Sequence, residues 1–231
     1  MEATLKKLLC SEKMSVIVSL PENRMDLAQA AIDAGADALK FHINVSHRAS
    51  GNDFKDVQDY EEMFKEVRIT FNGPIGIVLG DEIDKVLTAN TTKLKELGFN
   101  YYSLYAKDIG SKMLLQSDLE CTVAVDDKFC HEWIGGIESF NIQAVELSIV
   151  KKEDYGKPLN FEDLISYKSY REKTKLPLVV PSQKKIVPED LIILQEIGIN
   201  AVMLGAVTIG HTVESIFETV SRFTKKEIKN V

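Results

Sequence analysis

The sequence is poor in cysteine, and its three cysteines, Cys10, Cys121 and Cys130, form no CxxC pair. This spacing argues against a disulfide framework or a zinc knuckle, and it favours a reducing cytoplasm as the compartment. No apolar run approaches the ~20 residues that a membrane helix needs. Basic side chains number 28 against 35 acidic ones, and the net charge of −7 gives no support for a nucleic-acid or anionic-membrane partner.

The sequence also lacks linkers and the common catalytic motifs. Gly and Pro are scattered along the chain and form no Gly- or Pro-rich stretch, so we expect one domain over residues 1–231. No P-loop, Gly-x-Ser-x-Gly or His-Glu-x-x-His pattern occurs. Asp126 and Asp127 are adjacent and would face opposite sides of a strand. No His-x-His accompanies them, so we expect no metal and no other cofactor.

Short apolar runs alternate with segments of helical spacing along the chain. The predicted strands are 15–19, 38–44, 75–80, 102–107, 121–126, 144–149, 178–181 and 201–205, and the predicted helices include 24–34, 60–70, 84–97, 161–173, 189–197 and 212–229. Eight strands alternating with helices indicate parallel pairing. The length fits a closed α/β (β/α)8 TIM barrel better than an open doubly wound sheet, because the glycine-rich turn typical of the open sheet is missing after the first strand.

One junction between a helix and a strand recurs three times. Each copy ends a helix at a glycine, Gly35, Gly98 or Gly198, and passes through Asp or Asn into a strand. A glycine at this point can adopt the left-handed conformation that ends many helices. The repeat supports a regular alternation of helices and strands.

Strand parity predicts which side chains enter the barrel, because alternate residues face the surrounding helices and must be apolar. The interior positions of the predicted strands carry five titratable side chains, Lys40, His42, Lys107, Asp126 and Glu146. An unpaired buried charge is costly. We therefore expect these groups to be candidate catalytic acids and bases near the carboxyl-terminal mouth, where such barrels place their active sites. For Lys40 and Glu146, the alternative is a structural ion pair that fills the lumen.

An anion site is predicted after the last two strands. Barrels of this class often hold a phosphate between these loops and a short extra helix. The backbone amides of Gly205 and Ala206 would allow an anion to approach closely. Ser182 and Lys184, in the preceding loop, are further candidate ligands.

The connection after predicted strand 38–44 runs to residue 59 and is unusually polar. Its length favours a functional lid, with a solvated loop as the alternative. Arg48 within it could hold a carboxylate or phosphate through two hydrogen bonds. Lys40, Lys107, Lys184 and Arg48 would together make one basic mouth in an acidic protein, so the expected partner is a small phosphorylated substrate, and a homodimer is the candidate assembly.

The last third of the chain resembles the ribulose-phosphate-binding family of barrels. Three features carry the resemblance: the polar loop that follows residues 176–181, the helix start Ile186-Val-Pro-Glu, and the Gly205-Ala206 pair at the end of the last predicted strand. Within that family the pattern is most similar to N-acetylmannosamine-6-phosphate 2-epimerase. The resemblance implies a phosphate held at Ser182, Gly205 and Ala206.

The catalytic motifs of the epimerase are absent. A Glu-Gly-Arg loop is replaced by Ser182-Gln183-Lys184, and a lysine followed by Arg-Asp is replaced by Gly80-Asp81-Glu82. The catalytic residues of the epimerase therefore do not carry over to this chain, and the resemblance implies only the phosphate-binding end.

The favoured function is proton transfer next to a carbonyl group, as in isomerases and epimerases. Glu146 would be the base, Lys40 would stabilise the developing negative charge and His42 would relay or donate a proton. One alternative is an aldolase in which Lys40 or Lys107 forms a Schiff base. A second alternative is a barrel that binds a metabolite without converting it.

Overall fold

The computed structural model describes residues 4–47, 49–115 and 117–224, and within these ranges strands and helices alternate. The strands are β1 (Ser15–Ser19), β2 (Ala38–His42), β3 (Val45–His47), β4 (Asn52–Phe54), β5 (Ile75–Val78), β6 (Tyr101–Tyr105), β7 (Glu120–Asp126), β8 (Ala144–Ser148), β9 (Leu178–Pro181) and β10 (Ala201–Leu204). The helices are α1 (Leu5–Leu9), α2 (Met25–Asp33), α3 (Glu61–Thr70), α4 (Ile83–Leu87), α5 (Thr91–Glu96), α6 (Ser111–Leu115), α7 (Phe161–Lys173), α8 (Asp190–Glu196), α9 (Ala206–Ile209) and α10 (Val213–Thr224).

Eight of these strands close into a parallel barrel in the order β1-β10-β9-β8-β7-β6-β5-β2. The predicted (β/α)8 fold is therefore confirmed. The remaining strands, β3 and β4, form an antiparallel hairpin inserted after β2. Among the described residues, no helix is both long and apolar enough to cross a membrane.

The core has two apolar layers that follow the predicted strand parity. Outward-facing residues such as Leu39, Phe41 and Val145 belong to a large cluster between the barrel and its helices. Inward-facing residues such as Tyr101 and Met203 form a smaller cluster inside the barrel. Successive strand residues therefore separate into the two layers, as the period of two requires.

Helix α1 closes the amino-terminal end of the barrel. Its buried Leu5 and Leu9 belong to the inner cluster. The Leu5 amide donates to the Glu120 carboxylate at 2.9 Å, and Asn200 donates to the Leu9 carbonyl at 3.1 Å. Because this end is filled with apolar side chains, a ligand has access to the lumen from the carboxyl-terminal end.

The repeated helix-to-strand junction is confirmed. Gly35, Gly98 and Gly198 have φ of 87°, 94° and 93°, which is the left-handed conformation expected at a helix end. The Asp or Asn two residues later ties each junction to the neighbouring strand. The side chains of Asp37, Asn100 and Asn200 accept the amides of Val16, Ile75 and Leu178 at 2.8, 2.8 and 2.9 Å.

Several element boundaries differ from the sequence predictions. The predicted strand 38–44 ends at His42, because Asn44 has φ of 54° and turns the chain into the hairpin. The predicted helix 84–97 is two helices, since the side chain of Asn90 caps α5 by accepting the Lys93 amide at 3.0 Å. The predicted helix 212–229 is described as far as Thr224, and the residues beyond it lie outside the described ranges.

The packing around Gly76 generates a stability prediction. A Cβ atom at Gly76 would lie 2.1 Å from the buried ring of Tyr101 on the adjacent strand. We expect Gly76→Ala to lower the free energy of unfolding by about 1–3 kcal/mol, because the ring has to shift within a filled lumen. Urea unfolding measures this change.

The matched control is Gly136→Ala, where a Cβ meets nothing within 4 Å. We expect the control to stay within about 0.5 kcal/mol of the unmodified protein. Equal stability of the two variants would contradict the packing of Tyr101 against Gly76.

Candidate active site

Two adjoining cavities of about 110 and 200 Å³ open at the carboxyl-terminal end of the barrel. They share five lining side chains, those of Lys40, His42, His47, Tyr105 and Glu146. The first cavity extends towards the loops after β9 and β10, and the second extends towards the loops after β5 and β6. The shared side chains therefore lie between two ends of one continuous mouth.

A buried ion pair forms the floor shared by the two cavities. Lys40 on β2 and Glu146 on β8 are 5% and 9% exposed, and the Lys40 Nζ lies 2.7 Å from the Glu146 Oε2. The Ser103 hydroxyl donates to the same oxygen at 2.9 Å, and the Ser148 hydroxyl donates to Oε1 at 3.1 Å. Both carboxylate oxygens therefore have a partner, which is what a buried charge requires.

His42 and His47 lie above this pair as neighbouring rings. Their centroids are 4.4 Å apart, and the ring of Phe54 packs 4.8 Å from that of His42. Burial, followed by the nearby His47 and Lys40, lowers the pKa of His42 well below its ordinary value. Burial and then Lys40 lower the pKa of His47 to about 4, against an opposing contribution from Glu146. Both rings are therefore neutral at neutral pH.

The hairpin of β3 and β4 brings His47 into the mouth. The polar connection after β2 thus contains this hairpin, and both His47 and Ala49 line the first cavity. The Ser46 amide donates to the Asp81 carboxylate at 2.9 Å, and the side chain of Asn52 donates to the Pro21 carbonyl at 2.8 Å. These two bonds tie the hairpin to the loops after β5 and β1.

At the opposite end of the mouth, the loops after β9 and β10 meet. The Gly205 amide donates to the Ser182 hydroxyl at 2.8 Å, which joins the loops after β9 and β10. Ser182, Gly205, Ala206 and Val207 all line the first cavity. Ala206 and Val207 begin the short helix α9, and the first amides of a helix have no acceptor within that helix.

The structure brings six of the ten predicted site residues into the first cavity, namely Lys40, His42, Glu146, Ser182, Gly205 and Ala206. Lys107 lines the second cavity from a 3-10 turn, because β6 ends at Tyr105. Arg48 lies outside the described residues.

Two predicted site residues have other partners. The Lys184 side chain is 4% exposed, and its Nζ lies 3.1 Å from the Asp163 carboxylate, beside a separate cavity next to α7. Asp126 ends β7, and its carboxylate accepts the Lys128 amide at 3.1 Å as the chain turns. The structure does not bring either residue to the two cavities.

The lining residues that the sequence analysis did not single out include His47, Tyr155 and Gln183. Gln183 donates to the Tyr155 hydroxyl at 2.6 Å and accepts the Val150 amide at 3.1 Å. All three lie in loops or in the hairpin, where the period of two does not apply. The polarity of the connection after β2 was the one signal that pointed towards His47.

Within the described ranges, no group of three or more His, Cys, Asp or Glu side chains is arranged to hold a metal ion. The polar side chains of the mouth instead contact one another, as the pair of Lys40 and Glu146 does.

The buried ion pair generates a second prediction. Lys40→Met leaves the Glu146 carboxylate buried without its cation, and we expect a loss of about 3–5 kcal/mol in the free energy of unfolding. The double variant Lys40→Met/Glu146→Leu removes both charges and should be more stable than Lys40→Met alone. Chemical denaturation of the single and double variants measures the coupling. If the double variant instead lost as much unfolding free energy as the two single variants added together, the two charges would not depend on each other.

The neutral His47 generates a prediction about pH. An unfolded histidine binds a proton near pH 6.5, whereas folded His47 does so near pH 4, so stability should fall as the pH drops from about 6.5 towards 4. His47→Gln removes this group and should make the curve of unfolding free energy less steep over that window, although His42, whose pKa is also lowered, still contributes. Thermal or urea unfolding at several pH values tests this, and an unchanged slope in the variant would contradict a neutral buried ring.

Comparisons with known proteins identify the fold but no family. Neither protein-family models nor curated proteins match the chain. Among solved structures, the tryptophan synthase A-subunit of Pyrococcus furiosus has a TM-score of 0.70 at 14% identity, over 94% of this chain and 99% of that one. The thiamine phosphate pyrophosphorylase of the same organism has a TM-score of 0.64 at 12% identity, over 96% of both chains. A protein of Aquifex aeolicus VF5 has a TM-score of 0.68 at 14% identity, over 95% of both chains. At these identities the chain shares the (β/α)8 barrel with these proteins, and the comparisons show the fold alone.

Proposed function

We propose that the protein is an enzyme that transfers a proton next to the carbonyl group of a small phosphorylated sugar or related metabolite. The observation that carries this proposal is Glu146. Its carboxylate lies at the floor of the mouth, 2.7 Å from a buried ammonium and within hydrogen-bond distance of two hydroxyls. A carboxylate held in this way beside a cavity is placed to act as a general base.

Each polar group at the floor has a separate role in this reaction. Glu146 removes the proton from the carbon next to the carbonyl. The Lys40 ammonium lies beside the carboxylate and stabilises the negative charge that develops on the substrate oxygen. His42 relays or donates a proton from the adjoining wall of the cavity.

The phosphate of the substrate would bind at the other end of the mouth. Ser182, Gly205 and Ala206 line that end, and barrels of this class often bind phosphate at the same place. The solved structures of this fold include an enzyme named thiamine phosphate pyrophosphorylase, whose name refers to a phosphorylated compound. Lys107 and Arg48 remain candidates for further contacts with the substrate.

The proposed compartment is the cytoplasm. Cys10, Cys121 and Cys130 are free thiols, and the first of them is exposed. Free cysteines of this kind are typical of a reducing compartment.

An aldolase that forms a Schiff base is a second candidate, and the burial of Lys40 favours it. Lys40 is 5% exposed and lines the cavity, as a desolvated lysine nucleophile would. Lys40 would have to lose its ion pair with Glu146, and its extra proton, before it could attack a carbonyl carbon. Proton transfer needs no such change, and it is therefore the leading proposal.

The proposed function generates a prediction for Glu146→Gln. This variant should lower deuterium exchange into a panel of sugar phosphates by about 10²-fold or more, since the amide cannot take the carbon proton. It should still bind inorganic phosphate, because the Ser182 end is unchanged. Proton NMR in D₂O measures the exchange, and calorimetry measures phosphate binding.

The matched control is Glu218→Gln, an exposed glutamate on α10, which should retain the exchange rate of the unmodified protein. Exchange retained by Glu146→Gln would overturn the role of Glu146. A covalent adduct after borohydride treatment, detected by intact mass, would favour the aldolase. Tight binding of sugar phosphates without exchange or cleavage would favour a metabolite sensor.

A further inference from the structure

The proposed base, Glu146, and the hairpin histidine, His47, lie on opposite sides of the mouth. Glu146 is on β8, and His47 follows β2. In the closed strand order these two strands are four apart in either direction, so they face each other across the barrel. Both side chains line both cavities, and a molecule bound in the mouth would lie between them.

We propose that His47 is a further catalytic residue, which moves a proton between the two oxygens of an α-hydroxy carbonyl substrate while Glu146 moves one between the adjacent carbons. This inference rests on the proposed function. It assigns the reaction to the interconversion of ketose and aldose phosphates, and it assigns a chemical role to the hairpin.

The hairpin holds His47 in place from several directions. Its ring packs against His42 at 4.4 Å and against Phe54 at 6.0 Å. The hydrogen bonds of Ser46 with Asp81 and of Asn52 with Pro21 fix the two strands of the hairpin to the barrel rim. A catalytic group needs this kind of support, because a loose side chain loses the orientation that proton transfer requires.

Ser50 engages one nitrogen of the His47 ring. The Ser50 Oγ lies 2.8 Å from Nδ1, so Nε2 is the nitrogen left to meet a ligand. When the serine hydroxyl donates to Nδ1, the ring proton resides on Nε2. In this tautomer His47 can donate a proton to a substrate oxygen.

The charge states on the two sides favour isomerisation over epimerisation. Epimerisation with two bases needs a protonated group on the face opposite Glu146 to return a proton to carbon. Burial and then the Lys40 ammonium lower the pKa of His47 to about 4, so the ring is neutral. A neutral imidazole is a poor acid towards carbon but can exchange protons with oxygens, whereas one carboxylate can serve two adjacent carbons from the same face.

The proton transfers balance in this scheme. Glu146 takes the proton from the hydroxymethyl carbon, and the electron pair of that C–H bond forms the C=C bond of an enediol. The π electron pair of the carbonyl group moves to the carbonyl oxygen, and this oxygen takes the proton from Nε2 of His47. The neighbouring hydroxyl then returns a proton to Nε2 as its oxygen forms the new carbonyl. The C=C pair takes the proton back from Glu146 at the other carbon. One carbon is oxidised as its neighbour is reduced, and both residues end as they began.

The test compares two rates in the full-length protein with a panel of three- to six-carbon ketose phosphates in D₂O. Proton NMR follows deuterium exchange at carbon and formation of the aldose. We expect His47→Gln to lower aldose formation by about 10²-fold. We expect exchange to fall less, because Glu146 still removes the carbon proton, so exchange per aldose formed should rise.

His131→Gln is the matched control. His131 lies 3.1 Å from Ser169 on the outer helical layer and should leave both rates unchanged. A parallel fall of both rates in His47→Gln would assign His47 a structural role only and overturn the inference. Formation of an epimeric ketose in place of the aldose by the unmodified protein would also overturn it. The absence of any exchange in the unmodified protein would overturn the proposed function, and the inference with it.

A second measurement is independent of how well the variant folds. Nitrogen-15 NMR of histidine-labelled protein at pH 7 should show His47 as a neutral ring protonated at Nε2. Ser50→Ala should give a mixture of tautomers and slower aldose formation, because the hydroxyl that selects the tautomer is gone. A ring protonated at Nδ1 in the unmodified protein would overturn the proposed role.

Discussion

The ion pair of Lys40 and Glu146 crosses the barrel between strands that face each other, and the mouth is organised around it. Neither charge would be stable in the lumen without the other, because the free energy needed to remove a single ion from water is not offset without a partner of opposite charge. Ser103 and Ser148 complete the hydrogen bonds of the carboxylate. The requirement to pair these charges fixes four inward-facing side chains around the Glu146 carboxylate, at its level in the barrel and just above it.

The layers above and below this level differ in character. Below it, the inner cluster that includes Tyr101 and Met203 is apolar and is closed by α1. Above it, the mouth is open and polar, with the hairpin on one side and the Ser182 and Gly205 loops on the other. The barrel therefore presents a charged floor to a ligand while excluding water from beneath it, which strengthens electrostatic interactions at the floor.

Basic residues of the chain do not all serve the mouth, although the sequence suggests that they could. Lys184 is turned away from the mouth and pairs with Asp163. Lys107 reaches the rim, where its ammonium lies 5.7 Å from the Tyr105 ring centroid. Lys40 is held by Glu146. The local positive charge of the mouth thus depends on which acidic partner each lysine finds, and a count of lysines along the chain cannot supply that information.

The sequence by itself determined the barrel and the floor of its mouth, because strand parity is a local property that repeats every two residues. The alternation around Lys40, His42 and Glu146 placed these side chains inside, and the recurring glycine at Gly35, Gly98 and Gly198 marked helix ends through a purely local φ requirement. Only the tertiary structure decided that β6 stops at Tyr105, which brought Lys107 to the turn that follows. It also decided the partners of loop residues, whose positions depend on contacts with distant segments. His47 enters the mouth, and Lys184 leaves it, through packing and charge pairing that no periodicity in the sequence encodes.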